Sequence, residues 1–325
     1  MTIVPPSPGE PRRPEGPRDP GDAWVVSATG ERYWGRFGAA GLLAVDADRG
    51  VLLQHRVAWS HFGGTWGLPG GALHQDESAL DGALRESTEE AGIPAGAVRP
   101  RFASVLDLGI WSYTTVVAEV VRPFEPVISD PESVALEWVP VAEVSGLPLH
   151  PGFADAWPRL RALLGARPAV VVDAANVVGS VPDGWWKDRA GAAARLRDRL
   201  LRWAREGVEA DALGLGASRW YPDVVLVVEG KARALPDEGT ASAGTASSAG
   251  ASSADAFRAG GGRTPVVLRR ASGSGDDEIV AGAAELRAGG RDVTVVTSDR
   301  ELRVRAEAEG ARVVSTRWLR DRLPT

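Results

Sequence analysis

Cysteine is absent from this 325-residue sequence, methionine occurs once and histidine only four times. Without cysteine there are no disulfide bonds and no thiolate metal sites, so any bound metal must take oxygen or imidazole ligands. Carboxylates are plentiful, because the chain has 43 Asp and Glu residues. This composition favours Mg²⁺ or Mn²⁺ over Zn²⁺.

Long apolar runs are also missing. No stretch reaches the roughly 18 to 20 consecutive apolar residues of a membrane-spanning helix, and the N-terminus has no apolar signal-peptide core. We therefore expect no membrane association and a cytoplasmic location. The formal net charge of -6 argues against a surface that binds nucleic acid everywhere, but it is compatible with a local basic face.

The length fits two domains of roughly 130–160 residues each. Residues 1–21 are rich in Pro, Gly and charge and are predicted to form a disordered leader. We expect a first domain at residues 22–164, a linker at 165–168 and a second domain at 169–325. A Gly/Ala/Ser tract at 234–262 is predicted to be a flexible insertion inside the second domain.

Each half has its own pattern of apolar residues. In the first, two predicted strands (39–47 and 51–57) flank a turn, and a helix is expected from about Glu77 to Ala91, ended by Gly92. In the second, continuous apolar runs alternate with helical segments. That alternation predicts a doubly wound parallel α/β sheet.

Residues 71–93 carry the most specific motif of the chain, GALHQDESALDGALRESTEEAGI. A glycine, a glutamate, an Arg-Glu pair and a Glu-Glu pair stand at fixed spacings, after the lead-in WGLPGG. The segment resembles the signature of the Nudix hydrolases over about residues 35–164, except that Ser87 stands where an apolar residue is expected. The resemblance implies an α/β/α sandwich with a mixed sheet and a pyrophosphohydrolase activity.

The spacing of the glutamates has a physical consequence of its own. At 100° per residue, Glu86, Glu89 and Glu90 fall within one 100° arc of the predicted helix. A separate stripe of the helix is predicted to pack against the sheet: Leu80, Ala83, Leu84, Ser87 and Ala91. Like charges so close together repel unless a cation neutralises them, and a hard divalent cation would also bind pyrophosphate oxygens. The plain alternative is an acidic, solvated helix face.

Residue roles follow from the resemblance. Metal ligands would be Gly71, through its carbonyl, together with Glu86, Glu89 and Glu90. Glu86 would also act as the base, Arg85 would orient a carboxylate, and Glu77 would assist from the first turn. Some relatives use a further acid downstream, for which Glu132 and Glu137 are candidates, although either is equally well explained as surface charge. Trp59, Trp66 and Trp111 could stack on a base or simply fill the core.

A second set of acids follows the apolar runs of the second half. Parallel sheets bind ligands beyond the carboxyl ends of their strands, which singles out Asp173, Asp276 and Asp299, with Glu229 as a fourth. The segments VVDAANVV, GDDEIV and VVTSDRE resemble the NYN branch of the PIN-like nucleases over residues 168–325. That resemblance implies metal binding by the three aspartates, supported by Asn176 and more weakly by Asp277 and Glu301. Helix capping is the alternative for each acid.

One helix of the second half carries a row of basic residues. Arg195, Arg199 and Arg202 recur at helical spacing and could face a phosphate backbone. Interleaved acids instead favour a salt-bridged, solvated helix face.

Three functions remain open at this point. The first is a Mg²⁺- or Mn²⁺-dependent enzyme that cleaves a nucleoside diphosphate linked to another group. The second is an RNA-processing protein whose C-terminal domain is a metal-dependent ribonuclease. The third is a regulator that binds a nucleotide without turnover. A homodimer is compatible with the resemblance, although no residue specifies one.

Overall fold

The computed structural model describes residues 1–6, 19–181, 184–236 and 266–324. The chain forms two compact units that meet in sequence between Leu164 and Gly165. No helix within these ranges is both long enough and apolar enough to cross a membrane. Most of the insertion predicted at 234–262, from residue 237 onward, lies outside the described residues.

The first unit contains ten strands and two α-helices among its described residues. The elements are β1 (Thr2–Val4), β2 (Trp24–Val26), β3 (Arg32–Trp34), β4 (Ala39–Asp46), β5 (Gly50–Arg56), β6 (Trp66–Gly67), β7 (Gly70–Ala72), α1 (Ala79–Ala91), β8 (Val98–Asp107), β9 (Ser112–Val120), β10 (Ser133–Val139), a 3₁₀ helix (Val144–Gly146) and α2 (Pro151–Leu163).

Five of these strands run side by side in the order β10-β5-β4-β9-β8. The pair β4–β9 is parallel and the other pairs are antiparallel, so the predicted mixed sheet is confirmed. Strand β6 pairs with β5, and β7 pairs with β4. This second pairing positions the glycine-rich lead-in against the middle of the sheet.

The predicted disorder of residues 1–21 is wrong at Thr2–Val4. These residues form β1, which pairs antiparallel with β2, and β2 pairs in turn with β3. The three residues of β1 are two β-branched apolar residues and a threonine, which suit a strand, whereas the Pro- and charge-rich residues that drove the prediction come later. Residues 7–18 lie outside the described residues.

The second unit alternates strands and helices. Its described elements are β11 (Pro168–Asp173), α3 (Ala174–Gly179), a 3₁₀ helix (Trp185–Lys187), α4 (Arg189–Glu206), β12 (Val208–Glu209), α5 (Ala210–Leu213), β13 (Arg219–Trp220), β14 (Asp223–Val228), a 3₁₀ helix (Gly230–Ala234), β15 (Val266–Arg270), α6 (Gly275–Ala288), β16 (Asp292–Val296), α7 (Arg300–Ala308), β17 (Arg312–Val314) and α8 (Thr316–Arg320).

The five main strands lie in the order β15-β14-β11-β16-β17 and are all parallel, as the apolar runs predict. Chain order runs outward from β11 in both directions, so the strand order reverses between β11 and β16. Part of the core is formed by Val171 and Val295 of these strands, which pack with Ile279 of α6 and Leu302 of α7. Open parallel sheets bind ligands at such a reversal, beyond the carboxyl ends of the strands.

Candidate active site

Helix α1 has clear start and stop signals. The side chain of Ser78 accepts a hydrogen bond from the Asp81 N–H at the start, and Gly92 ends the helix in the left-handed conformation. Glu77 therefore precedes the helix, and the prediction that it lies in the first turn is wrong. The predicted apolar stripe is confirmed, because it is buried throughout: Leu80, Ala83, Leu84, Ser87 and Ala91.

Ser87 occupies the position where an apolar residue was expected. It is fully buried, and its hydroxyl donates to the Leu84 carbonyl at 2.9 Å. The helix backbone thus satisfies the extra polar group, which explains how a serine is accepted in the core.

Gly71 and Glu86 are in close contact. Gly71 of strand β7 pairs with Ala40 of strand β4. A Cβ atom added to Gly71 would lie 2.6 Å from Glu86 Oε1, so only glycine leaves room for this carboxylate. The Glu86 side chain is almost fully buried, with a relative exposure of 4% for the residue.

Arg85 joins three of the predicted carboxylates. Its Nε and Nη2 donate to the two oxygens of Glu77, each at 2.8 Å, which makes a bidentate pair. Its Nη1 donates to Glu86 Oε1 at 2.8 Å and to Glu89 Oε2 at 3.3 Å, and Nη2 also donates to the Ala72 carbonyl. The arginine therefore links β7, the turn before α1 and the glutamate face of the helix.

These pairs keep both partners charged. Burial by itself would raise the pKa of Glu77, but hydrogen bonds from Arg85 and from the His74 N–H outweigh it and the pKa is lowered. Burial likewise opposes the charge of Arg85, yet the pKa of Arg85 is raised by its pairs with Glu77 and Glu86. Glu77 and Arg85 are therefore ionised together at neutral pH.

Glu90 is held from two sides. Its Oε2 accepts from the Gly70 N–H at 2.9 Å and from Gln54 Nε2 at 3.4 Å, and the residue has a relative exposure of only 3%. Gln54 in turn donates to Ser133. Sequence reasoning missed both partners. The available signal was Gln54 itself, a polar residue that directly follows the apolar run VLL.

The remaining predicted acids of this unit are more peripheral. The Glu89 side chain is 43% exposed. Glu132 faces Arg56, with an N–O distance of 3.9 Å. Glu137 is exposed on β10. The structure thus gathers Gly71, Glu77, Arg85, Glu86 and Glu90, with Glu89 at the edge.

In this arrangement, no three carboxylate or imidazole side chains of the described ranges are close enough to hold a metal ion. At this site Arg85 pairs with Glu86 at 2.8 Å and with Glu89 at 3.3 Å. The donor chemistry still fits a hard divalent cation. Two buried carboxylates adjoin the Gly70–Gly71 backbone, and the absence of a Cβ at Gly71 leaves space beside Glu86.

Aromatic side chains cluster near β6. The ring of Trp66 stacks on His55, with centroids 4.7 Å apart, and Phe62 contacts His150 edge-on. Burial and the nearby charge of Arg56 lower the pKa of His150 to about 4, so this ring is neutral at pH 7. Among the three predicted stacking candidates, Trp59 is half exposed and Trp111 stacks on Tyr33.

In the second unit, a cleft of about 630 Å³ lies at the carboxyl ends of β11, β14 and β16. It brings together five polar residues that the sequence analysis singled out. They are Asp173, Asn176, Glu229, Asp276 and Asp299.

Backbone and side-chain donors hold several of these groups. Asp173 accepts from the Asn176 N–H at 2.9 Å and from the Thr297 hydroxyl at 3.0 Å. Asn176 Oδ1 accepts from the Ser298 N–H, and Glu229 accepts from the Gly275 N–H. These bonds tie the end of β11 to the end of β16, and the end of β14 to the start of α6.

The cleft disfavours negative charge. Burial raises the pKa of Asp173, and the charges of Asp276 and Glu229 add to this against its hydrogen bonds. Burial and the neighbouring Asp299 raise the pKa of Asp276, although Arg305 opposes them. A cation bound among these carboxylates would relieve the repulsion.

Asp299 has a further role, and two other predicted residues, Asp277 and Arg199, lie outside the cleft lining. Asp299 lines the cleft but is also the N-cap of α7, accepting from the backbone of Glu301 and Leu302. Asp277 points elsewhere and pairs with Arg305 at 2.6 Å. Arg199 donates to the carbonyl of Pro324, which removes it from the row of arginines proposed to face phosphates.

Comparison with known proteins identifies the first unit. Residues 35–163 match the model of the NUDIX domain. A putative 8-oxo-dGTP diphosphatase 3 of Mycobacterium tuberculosis is 51% identical over 154 residues, which are 44% of this chain and 70% of that protein. A CTP pyrophosphohydrolase of Escherichia coli is 31% identical over 132 residues, 38% of this chain and 92% of that protein.

One similar protein has a solved structure. The Nudix hydrolase RenU from M. smegmatis has 46% sequence identity with this chain, covers 44% of it and 94% of its own length, and aligns with a TM-score of 0.41. The motif at residues 71–93, the mixed sheet around it and the extent of these sequence matches lead to one conclusion: the chain belongs to the Nudix family through its first unit.

Proposed function

We propose that the first unit is a metal-dependent pyrophosphohydrolase that cleaves a nucleoside diphosphate linked to another group. The observation that carries the proposal is the buried Glu86 carboxylate, which lies against Gly71 and is held by Arg85. The relatives' names, which include an 8-oxo-dGTP diphosphatase and a CTP pyrophosphohydrolase, make nucleoside triphosphates the first substrates to test.

The residues of the site have different proposed roles. Glu86 is assigned the role of base, which takes the proton of the attacking water. Arg85 orients Glu86 and is itself oriented by the bidentate pair with Glu77. Glu90, held by the Gly70 N–H, is assigned to metal binding together with Glu86, Glu89 and the Gly71 carbonyl. Because Arg85 contacts Glu86 and Glu89, metal binding must loosen these contacts.

The bound cation, Mg²⁺ or Mn²⁺, would neutralise charge on the phosphates and lower the pKa of the attacking water. The oxygen-only donor set of the site and the absence of cysteine support this choice of metal.

Substitution of Glu86 by Gln tests the assignment. We expect hydrolysis of a nucleotide panel with Mg²⁺ to fall by about 100-fold or more, because the amide neither accepts a proton nor binds a cation well. The panel should contain 8-oxo-dGTP, CTP, a dinucleoside polyphosphate and an ADP-ribose. Product release would be followed by chromatography of the nucleotides.

Glu125→Gln is the matched control, since it removes the same charge from a side chain that is 86% exposed. Wild-type rates are expected for it. If Glu86→Gln hydrolyses the panel as fast as this control does, Glu86 is not the base and the proposed site is wrong.

The cleft of the second unit supports a second candidate function, metal-dependent cleavage of single-stranded RNA. The observation that favours it is the presence of Asp173, Asp276 and Asp299 in one cleft at the reversal of strand order. The short motifs VVDAANVV, GDDEIV and VVTSDRE, which resemble those of the NYN/PIN-like nucleases, also support it.

The full-length chain with Mn²⁺ should then cut single-stranded RNA. Asp276→Asn should abolish cleavage, and Asp173→Asn should do the same. The neighbouring Asp277→Asn is the control, because Asp277 is exposed and paired with Arg305 outside the cleft lining. Equal cleavage by Asp276→Asn and Asp277→Asn would contradict a metal-binding role for the cleft.

Three further predictions from the sequence stay predictions. They are a cytoplasmic location, a homodimer and, as the third functional alternative, nucleotide binding without turnover. The presence of Glu86, Glu89 and Glu90 together disfavours this last alternative, because binding alone does not require a base.

A further inference from the structure

A chain of hydrogen bonds leads from Glu90 away from the glutamate face. Gln54 Nε2 donates to Glu90 Oε2 at 3.4 Å and to Ser133 Oγ at 2.8 Å. Ser133 Oγ donates to Asp130 Oδ1 at 2.9 Å. Gln54 has a relative exposure of 0%, so water does not compete for these bonds. The chain crosses from β5 to β10, which are neighbours in the sheet.

The direction of each bond follows from chemistry. The Ser133 hydroxyl donates to the Asp130 carboxylate, so the single proton of this hydroxyl is committed to Asp130. Ser133 must then accept from Gln54, which requires the amide nitrogen of Gln54, and not its oxygen, to face Ser133 and Glu90. Asp130 and Ser133 together select the orientation of the amide.

This orientation leaves one polar atom of Gln54 unsatisfied. Gln54 Oε1 is buried and accepts no hydrogen bond from the described residues. A buried acceptor without a donor is unfavourable. Rotating the amide would bring this oxygen to the Ser133 hydroxyl, but it would also turn it toward the Glu90 carboxylate. The orientation that keeps a donor on Glu90 is retained despite the unsatisfied oxygen.

We propose that Gln54 is a positioning residue of the pyrophosphohydrolase site, which acts through Glu90 and whose orientation is set by Ser133 and Asp130. Together with the Gly70 N–H, Gln54 holds one carboxylate oxygen of Glu90 and thereby sets how this side chain meets a divalent cation. The inference rests on the proposed function, because it assumes that Glu90 binds the metal.

Two substitutions break the chain at different points. Gln54→Met removes both donors at similar volume, and Ser133→Ala removes the acceptor that orients the amide. We expect each to raise the dissociation constant for Mn²⁺ about tenfold, measured on the full-length protein by electron paramagnetic resonance of free Mn²⁺. At saturating Mn²⁺, the KM for the nucleotide should stay near the wild-type value.

Two control variants separate positioning from loss of structure. Ser133→Thr keeps the hydroxyl and should restore Mn²⁺ affinity. Ser104→Ala removes another buried serine hydroxyl of the same sheet, which accepts from Arg159 and has no bond in the Glu90 chain. It should lower thermal stability to an extent similar to that of Ser133→Ala without changing Mn²⁺ affinity.

The outcomes distinguish this inference from the proposed function. If the wild type binds Mn²⁺ and hydrolyses nucleotides while Gln54→Met and Ser133→Ala bind Mn²⁺ as Ser104→Ala does, the positioning role is overturned and the enzyme remains. If the wild type neither binds Mn²⁺ nor hydrolyses any nucleotide, both proposals fail together.

Discussion

Glu86 is a nearly buried carboxylate whose environment is made by two neighbours of different kinds. Arg85 supplies the compensating charge at 2.8 Å, and Gly71 supplies space by having no side chain. Removing one partner of a buried ion pair is costly, because the remaining charge is left uncompensated. Substitution of Arg85 or Gly71 is therefore expected to disturb the Glu86 carboxylate more than substitution of the exposed Glu89.

The contact between Gly71 and Glu86 leads to a prediction at the residue scale. In Gly71→Ala the new Cβ would lie 2.6 Å from Glu86 Oε1, so the carboxylate must move. The end of a glutamate side chain shifts easily, so thermal stability should change little. Displacement of the Glu86 carboxylate by about 1 Å from its catalytic position is expected to lower the rate of nucleotide hydrolysis about 100-fold.

Gly146→Ala serves as the comparison, since nothing lies within 4 Å of a Cβ at that glycine. Both variants should unfold at nearly the wild-type temperature, and only Gly71→Ala should lose hydrolysis. Full activity in Gly71→Ala would mean that the carboxylate does not need its present position.

At the scale of elements, the ends of α1 determine where its glutamates lie along the sheet. Gly92 adopts φ of +62°, its N–H donates to the Thr88 carbonyl, and the Ile93 N–H donates to the Ser87 carbonyl. Because the left-handed conformation is unfavourable for residues with a Cβ, the helix ends where glycine occurs. The sequence predicted this stop, since Gly92 follows the last residue of the helical pattern.

A substitution at the helix end should loosen α1. In Gly92→Ala, the left-handed backbone conformation costs about 1 kcal/mol of folding free energy. The new Cβ would also lie 3.1 Å from Val127 Cβ. The amides of residues 79–92 should then exchange with deuterium about fivefold faster in a mass-spectrometric measurement, by conversion of that energy at 25 °C.

Gly92→Asn separates the two causes. Asparagine tolerates the left-handed region, so an exchange rate between those of wild type and Gly92→Ala indicates backbone strain as the main cause. Gly109→Ala, at another glycine with positive φ but open space around it, should leave α1 unchanged. Exchange in Gly92→Ala at the wild-type rate would show that the helix end is held by other contacts.

At the scale of the whole molecule, features that depend on local sequence patterns could be predicted, whereas contacts between residues distant in the sequence could not. The apolar stripe and C-terminal end of α1, the mixed sheet of the first unit and the parallel strands of the second all follow from periodicity and from start and stop signals. The strand β1 did not, because three residues carry too little pattern to stand out beside a Pro-rich segment. The helix α3 was also missed, since the apolar run continues past Asp173 into it.

The adjacent residues Asp276 and Asp277 mark the limit of sequence reasoning. Both stand in the first turn of α6, and in the sequence only the resemblance to the NYN/PIN-like nucleases separates them. In the structure Asp276 lines the cleft, whereas Asp277 pairs with Arg305 of the next helix. The difference depends on how α6 is rotated against the sheet, which packing with residues far along the chain decides.

The sequence by itself determined the family, the glutamate-bearing helix and the kinds of elements, because each of these is written in residues close together in the chain. Only the tertiary structure decided that Arg85 reaches Glu77 and the Ala72 carbonyl, that Gln54 and Ser133 support Glu90, and which acids meet in the second unit. Such contacts depend on strand order and register, which arise when distant segments pack together and cannot be read from local spacing.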